Sequence, residues 1–225
     1  MQNIHTNSNL QETTKHGGPD FPLEFYIDDT RKFYNNDINW HWHKEFELNV
    51  ILEGEGDFVT GDIHFTAYKG DIVLTPPDML HAVYQHDDKR CVYDTLDLDG
   101  SMLGSRDNDR AADTPLISGA YSIETHITPE HCYYSELLTT AENMINAAKG
   151  DTPLLDMLIK SELLRFMFLL YESGSISSNG FVKKSSLMRP AIEYINEHFT
   201  EPLTIDQLAG VVHLSKSYFM GAFKR

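Results

Sequence analysis

Three histidines and one glutamate are spaced in this chain so that strand geometry could bring their side chains together. His41 and His43 are two residues apart, and Glu47 lies four residues further on. Because alternate residues of a strand point to the same face, these three side chains share a face if the segment is a regular strand. His81 begins another predicted strand. Three imidazoles and a carboxylate form an N3O donor set that suits several divalent transition metals.

Two interpretations of these four residues remain open at the level of sequence. In the first, they bind a divalent metal such as Zn, Ni, Fe or Mn; in the second, the histidines line a small-molecule pocket or hydrogen-bond one another. Trp42, Tyr68 and Tyr84 could form an aromatic wall of that pocket and stack against a sugar or an aromatic acid. His64 and His86 fall near turns, where we expect them to be solvated. The remaining histidines show no ligand spacing: His5, His16, His126, His131, His198 and His213.

The composition of the chain favours a folded cytoplasmic protein. Hydrophobic residues make up 41% and aromatic residues 11% of its 225 residues, which is enough for a packed core. No run of about 18 apolar residues is present, which argues against a membrane partner, and the polar N-terminus lacks the apolar stretch of a signal peptide. The two cysteines, Cys91 and Cys132, have no CxxC spacing and are predicted to be free thiols.

Charge is distributed unevenly along the sequence. The formal net charge is −16, which by itself disfavours nucleic acid as a partner. From residue 183 onwards, however, six basic side chains face four acidic ones, so this end carries +2 and the first 182 residues carry −18. An acidic body with a mildly basic C-terminal end fits a sensor attached to a DNA-binding part.

The pattern of short strands and turns predicts an antiparallel β-barrel or sandwich over 21–131, preceded by a loose polar arm at 1–20. Strands are predicted at 47–53, 57–60, 63–68, 72–75, 81–85 and 92–98. Glycines predict turns at 54–56, 61–62 and 69–71, and the segment from 100 to 131 has no regular pattern.

Two helices are predicted over 132–172, where the apolar spacing changes from two to about 3.6 residues. They run from Tyr133 to Lys149 and from Leu154 to Tyr171, and the short connection makes them a hairpin. Their apolar faces could pack on the barrel or form a homodimer interface, and the sequence leaves both open. A Ser/Gly-rich linker follows at 173–184.

The C-terminal segment, 185–225, has the pattern of three helices in helix-turn-helix spacing. They are predicted at 187–198, 205–212 and 216–225, with Thr204 capping the second helix and Ser215 the third. A short helix, a tight turn and a capped helix with basic residues are typical of a DNA-binding module.

The histidine segments resemble the two sequence motifs of the cupin superfamily. The residues that match are His41, His43, Glu47, Gly54, Gly70, Pro76 and His81. Asp78 and Gln85 depart from the second motif, which usually has Gly and Asn at these positions. The resemblance implies a double-stranded β-helix barrel, with the three histidines and Glu47 as its metal ligands.

The C-terminal helices resemble the start of the AraC-type DNA-binding domain, which in that family follows a cupin sensor. Leu203 to Ala209 and Leu214 to Phe219 carry the resemblance. It implies contacts with DNA bases or phosphates by Lys216, Ser217, Met220, Gly221, Lys224 and Arg225. Gly221 stands where the family commonly has Arg. The family's domain continues through a connecting helix and a second helix-turn-helix beyond the position of Arg225, so we expect this chain alone to bind DNA weakly.

Together these features predict an α+β protein that regulates transcription and is not an enzyme. Its expected architecture is a cupin barrel, a helical hairpin and a partial three-helix helix-turn-helix module. Its expected partners are a small-molecule effector, DNA and a second copy of itself. The alternative is a cupin metalloenzyme, a dioxygenase or an isomerase, because the metal-ligand set is complete.

Overall fold

The fold is α+β, as predicted, with strands in the N-terminal part and helices after them. The computed structural model describes residues 2–18, 21–103, 122–150, 154–177 and 190–220, the last range with gaps at 192–193, 196–197 and 217–218. Within these residues, no helix combines the length and the apolar character needed to cross a bilayer.

The strands and helices follow the order predicted from the sequence. The first strands are β1 (Leu23–Asp29), β2 (Ile38–His41), β3 (Phe46–Thr60), β4 (Ile63–Tyr68), β5 (Ile72–Thr75), β6 (His81–Gln85) and β7 (Cys91–Leu98). Three short strands are β8 (Ser122–Ile123), β9 (His126–Ile127) and β10 (Ile176–Ser177). The helices are α1 (Tyr134–Lys149), α2 (Leu155–Glu172) and α3 (Ile205–Val211).

Strand β3 belongs to two sheets and holds the β-domain together. Its first half pairs antiparallel with β5 and β7, and its second half pairs antiparallel with β4 and β6. β1 extends the first sheet through β7, and β2 extends the second through β6. This arrangement is the cupin-like β-domain that the sequence motifs predict.

The prediction of a turn at 54–56 is wrong, because these residues lie inside β3, which is one strand of 15 residues. The pairing of β3 with β7 shifts register between Ile51 and Glu53, and Gly54 has a φ of +76°. A Cβ on Gly54 would lie 1.7 Å from the carbonyl oxygen of Arg90. The glycine therefore serves a bend inside one strand, where β-bulges commonly increase the twist, and not a hairpin.

We expect Gly54→Ala to lower the free energy of unfolding by about 3 kcal/mol or more, because the added methyl group would meet Arg90 in a strained backbone conformation. Gly174 provides a matched control, since its φ is +79° but nothing lies within 4 Å of the position that a Cβ would take there. Gly174→Ala should cost only about 1 kcal/mol. Urea denaturation of both variants measures the difference, and equal losses would show that contact with Arg90 is unimportant.

The helical hairpin packs one face on the first sheet. Buried residues of α1 and α2, among them Leu137, Met144, Ile159 and Phe166, form one hydrophobic core with β-strand residues such as Phe46. This confirms the first of the two predicted roles of the hairpin. The opposite face of α2 remains apolar and exposed, and its large side chains are Met157, Leu158, Leu164, Phe168 and Tyr171.

The N-terminal arm, expected to be loose, lies against the barrel over 2–18. The backbone N–H of Trp42 donates to the carbonyl of Leu10 at 3.0 Å, and that of Glu12 donates to the carbonyl of Trp42 at 2.9 Å. The indole N–H of Trp42 also donates to the carbonyl of Asn9, at 2.8 Å. These contacts place the second half of the arm at the opening of the barrel.

The segment after the hairpin begins with structure where a linker was predicted. β10 pairs antiparallel with β8, and the carbonyl of Ser175 accepts from the backbone N–H of Glu124 at 2.8 Å. The rest of the predicted linker, 178–184, lies outside the described residues.

The C-terminal residues contain a small core of their own around α3. Thr204 caps α3, as predicted: its hydroxyl accepts from the backbone N–H of Gln207 at 3.2 Å, and the Gln207 side chain accepts in return from the Thr204 N–H at 2.9 Å. Buried Leu208 and Phe219 pack together in this core with other apolar residues.

Candidate metal centre

The four predicted ligands meet inside the β-domain. One potential ligand atom from each of His41, His43, Glu47 and His81 lies within 4.8 Å of all the others. His41 and His81 are direct partners in the β2–β6 pair, and their ring centroids are 4.0 Å apart. The premise of one regular strand is wrong, because β2 ends at His41 and Glu47 belongs to β3. The bend between the two strands nevertheless keeps His43 at the same centre.

Backbone carbonyls orient two of the imidazole rings. Nδ1 of His41 lies 2.8 Å from the carbonyl oxygen of Asn39, and Nδ1 of His81 lies 2.9 Å from that of Met79. A carbonyl can only accept, so each Nδ1 carries the proton. In the neutral rings, each Nε2 therefore presents a lone pair, which is the form that binds a metal.

Glu47 is held by one carboxylate oxygen and faces the histidines with the other. Its Oε1 accepts from the side-chain amide of Asn49 at 2.6 Å and from the hydroxyl of Thr75 at 3.3 Å. Its Oε2 lies 3.3 Å from Nε2 of His43 and 3.5 Å from Nε2 of His81. The carboxylate is thus fixed in the orientation that a ligand needs.

His41 and Glu47 have the protonation that a metal centre needs, whereas His43 would first have to lose a proton. Burial, with the positive charge that His81 can carry next in size, lowers the pKa of His41 to about 3, so this ring is neutral. Burial tends to raise the pKa of Glu47, but the positive charge that His81 can carry and the hydrogen bond from His43 outweigh it and hold the pKa well below its usual range. Burial lowers the pKa of His43, but the hydrogen bond to Glu47 and the charge of Asp97 raise it to about 9.

The hydrogen bonding of these residues is compatible with a bound divalent metal. Nε2 of His81 is buried and has no hydrogen-bond partner among the described residues. A buried polar atom without a partner is unfavourable, and a metal ion at the centre of the cluster would supply one. Metal binding would also displace the proton from His43.

A cavity of about 200 Å³ adjoins the four residues. The wall beside the histidine cluster is polar, with Oε2 of Glu12 3.9 Å from Nε2 of His41. It carries six side chains from the arm, β1 and β7: Glu12, His16, Tyr26, Asp28, Thr95 and Asp97. The cavity is large enough for a small molecule that touches both the histidine cluster and this wall.

Comparison with known proteins identifies the domain that contains this cavity. The family model of the AraC-like ligand binding domain matches residues 30–167. The chain belongs to this family. The described β-domain and hairpin thus make up an AraC-like ligand-binding domain.

Curated relatives of this AraC-like chain are named as regulators. The uncharacterized HTH-type transcriptional regulator YdeC of Bacillus subtilis is 23% identical over 236 residues, covering all of this chain and 78% of YdeC. The uncharacterized HTH-type transcriptional regulator YdiP of Escherichia coli is 23% identical over 204 residues, covering 87% of this chain and 65% of YdiP. The chain therefore spans just under two thirds of the second relative.

Solved structures match only part of the AraC-like chain. They include a cupin superfamily protein from Desulfitobacterium hafniense, with 17% identity and a TM-score of 0.30 over 34% of this chain and 67% of that one. A salicylate 1,2-dioxygenase from Pseudaminobacter salicylatoxidans has 18% identity and a TM-score of 0.31, over 33% of this chain and 21% of that one. Family membership therefore rests on the sequence match.

The three predicted pocket aromatics do not line the cavity of the AraC-like domain. Trp42 is buried under the arm, and Tyr68 is 51% exposed at the end of β4. On β6, His81 and Val83 line the cavity, so Tyr84 points to the other face of the strand. Contact between these three residues and an effector therefore stays a prediction, without support from the lining of this cavity.

Four charged residues of the cavity were missed in the sequence. Asp28 and Asp97 have a sequence signal, because they are acidic residues inside strand-like runs and alternate with apolar positions. Glu12 and His16 have none, because their place in the AraC-like domain depends on how the arm folds back. His16 in particular has no neighbour at ligand spacing.

Two of the six predicted DNA-contacting residues lie within the described part of the chain. Lys216 is exposed, and its Nζ lies 2.7 Å from Oδ2 of Asp206. Met220 is half-buried. The other four lie outside the described residues: Ser217, Gly221, Lys224 and Arg225. Contact with DNA by these six residues stays a prediction.

Proposed function

We propose that this chain is a ligand-responsive regulator of transcription whose sensor domain holds a divalent metal. The observation that carries the proposal is the buried cluster of three histidines and Glu47 beside a cavity, within an AraC-like ligand-binding domain. The named relatives, which are HTH-type transcriptional regulators, support the same assignment. The regulator would act where the chromosome lies, in the cytoplasm.

The metal would be held by His41, His43, Glu47 and His81. Three nitrogens and one oxygen suit Zn, Ni, Fe or Mn. When bound, the ion would act as a Lewis acid that coordinates an oxygen or nitrogen atom of the effector. The chain's own residues orient the effector from the other side of the cavity, and the cavity's size limits the effector to a small molecule.

The C-terminal segment, 185–225, would bind DNA as the first helix-turn-helix of an AraC-type domain. The capped helix α3 and the core around it give this segment a folded centre. Lys216, Ser217, Met220, Gly221, Lys224 and Arg225 would face DNA, with the lysines and the arginine near phosphates. The −18 charge of residues 1–182 would disfavour any DNA contact elsewhere.

The chain would act as a homodimer through the exposed face of α2. Leu154, Met157, Leu164, Phe168 and Tyr171 are spaced three, seven, four and three residues apart and are 46–60% exposed. This spacing follows the heptad pattern of a helix that pairs with another helix. These five residues form an apolar stripe, and the identical stripe of a second copy of the chain would cover it.

Metal analysis followed by DNA selection tests the proposed function. Protein purified without a histidine tag should contain about one equivalent of a transition metal. Duplexes selected from a random-sequence library by the metal-loaded protein should converge on one motif. Failure of both measurements would contradict the proposal, and the removal of metal by a chelator should change the apparent affinity for the selected motif.

A metalloenzyme is the second candidate, because the complete ligand set favours it. Oxygen uptake and product formation by the metal-loaded protein, measured with small hydroxylated acids and sugars, separate the two functions. Repeated turnover that Glu47→Gln abolishes would establish the enzyme. Metal binding without turnover agrees with the regulator.

A further inference from the structure

A histidine of the N-terminal arm forms a buried ion-pair cluster beside the candidate metal centre. Nδ1 of His16 lies 2.9 Å from Oδ2 of Asp97, and its Nε2 lies 3.4 Å from Oε2 of Glu12. The ring meets that of Tyr26 edge-on at 5.7 Å. The side chains of His16, Asp97 and Glu12 are each no more than 6% exposed. Nδ1 of His16 also lies 3.1 Å from the Tyr26 hydroxyl, whereas its buried Nε2 has no hydrogen-bond partner among the described residues, so its contact with Glu12 is an ion pair only.

The fixed part of this environment belongs to the barrel. Tyr26 of β1 is the register partner of Thr95 of β7, and Asp97 lies two residues further along the same face. Asp28 accepts from the Thr95 hydroxyl at 2.8 Å. Oδ1 of Asp97 is buried and has no hydrogen-bond partner among the described residues. The barrel therefore contributes the acidic side chains of Asp28 and Asp97, and Oδ1 of Asp97 is free to accept a hydrogen bond. The arm places the imidazole ring of His16 next to them.

The charge of Asp97 determines what could replace that ring. If the arm moves away, Asp97 loses His16, and Glu12 leaves with the arm. A buried carboxylate without a partner is unfavourable and takes up a proton unless a positive charge stabilises it, so a cation is the replacement that keeps Asp97 ionised. A neutral polyol would offer hydroxyl donors but no charge, so the Asp97 carboxylate would keep the charge of His43 nearby and lose that of His16.

We propose that the wall formed by Tyr26, Asp28, Thr95 and Asp97 is a binding site for the cationic group of a small molecule, an ammonium, amidinium or imidazolium, and that His16 occupies it in the absence of that molecule. This inference rests on the proposed function, since it names the effector's chemical class. The ring centroids of His16 and His43 are 5.3 Å apart. A single small molecule can therefore place a cationic nitrogen at Asp97 and a donor atom at the metal ligands.

The protonation of His16 agrees with this assignment. Burial lowers the pKa of His16, but the contacts with the Asp97 and Glu12 carboxylates outweigh it and raise the pKa to about 10. Burial raises the pKa of Asp97, and the bond with His16 works against that rise. The two groups stabilise each other's charged form, as a bound cation would stabilise Asp97.

Excision of the histidine side chain provides a direct test. Metal-free His16→Ala protein, prepared with a chelator so that imidazole cannot bind a metal, is titrated calorimetrically with imidazole and with pyrazole near pH 6. Imidazole is then largely cationic, whereas pyrazole is a neutral ring of the same shape. We expect imidazole to bind His16→Ala about tenfold more tightly than pyrazole does, and about tenfold more tightly than it binds the wild type.

Two variants and one measurement on the wild type complete the test. His5→Ala, which removes an exposed histidine of the same arm, should bind imidazole as weakly as the wild type. Asp97→Asn in the His16→Ala background should abolish the preference for imidazole. In wild-type protein, imidazole but not pyrazole should accelerate trypsin cleavage after exposed Lys15, with cleavage after exposed Lys69 as the reference.

The outcomes separate this inference from the proposed function. Equal binding of imidazole and pyrazole, tighter binding of glycerol or a sugar, or unchanged cleavage after Lys15 would overturn the cation site. Metal content and DNA selection would be unaffected by that result. Conversely, imidazole binding at Asp97 would stand even if the DNA selection failed.

Discussion

Glu47→Gln is expected to lower the affinity of the protein for Zn²⁺ by about a hundredfold or more. The amide keeps the size of the side chain, and its oxygen can still accept from Asn49 and Thr75, so the barrel should fold as before. What is lost is the negative charge that faces the histidines, together with one of four ligand atoms. Competition against a fluorescent chelator measures the change.

Glu55→Gln is the matched control for this measurement. Glu55 lies on the same strand, β3, but pairs with Lys89 at 2.7 Å and is outside the cluster. We expect the affinity of the Glu55→Gln protein for Zn²⁺ to lie within about twofold of that of the wild type, because a partly exposed ion pair contributes little to stability. If the Glu47→Gln protein bound Zn²⁺ as tightly as the wild type, the proposed metal site would be contradicted, even if the fold were intact.

Phe168→Glu is expected to convert the proposed dimer to a monomer at micromolar concentration. Phe168 lies within the exposed apolar stripe of α2 and is 59% exposed in the single chain. In a pair of α2 helices related by twofold symmetry, it would be buried, and a carboxylate there would be desolvated without a partner. We expect the dissociation constant of the dimer to rise by about a hundredfold, which is about 2.7 kcal/mol.

Sedimentation velocity of the intact chain measures this change over a range of concentrations. Asp156→Asn serves as the control, since Asp156 is an exposed polar residue of the same helix outside the stripe and its flanking positions. It should leave the dimer unchanged. A wild-type chain that remains monomeric at high concentration would contradict the prediction, as would a dimer that tolerates Phe168→Glu.

The regular elements were predictable because their signals are local. The bounds of β4, β5 and β6 coincide with those predicted, and α1 and α2 begin and end within one residue of expectation. The prediction of a turn at 54–56 was wrong for a physical reason: two glycines close together also permit a bend in a continuous strand. The pairing of Gly54 with Cys91 of β7 keeps the strand continuous, and Cys91 is 37 residues away in the sequence.

The cluster of ligands could be predicted, but its surroundings could not. Spacing and the resemblance to the cupin motifs singled out His41, His43, Glu47 and His81, and one ligand atom of each lies within 4.8 Å of all the others. Asp78, which departs from the glycine of the second motif, has a φ of +61°, a region that Asp tolerates better than most residues. His16 reaches the cavity through contacts between the arm and Trp42, which no local pattern encodes.

The pairing of β10 with β8 fixes the point at which the chain leaves the sensor. Ser177 is held in the sheet, so the tether to the C-terminal core begins there and not at the end of α2. Residues 178–189 span at most about 45 Å when fully extended. In the proposed homodimer, each C-terminal core therefore stays within about 45 Å of its own Ser177. If the C-terminal segments bind DNA as proposed, the distance between the two Ser177 residues limits which spacings of paired DNA sites both segments can reach at once.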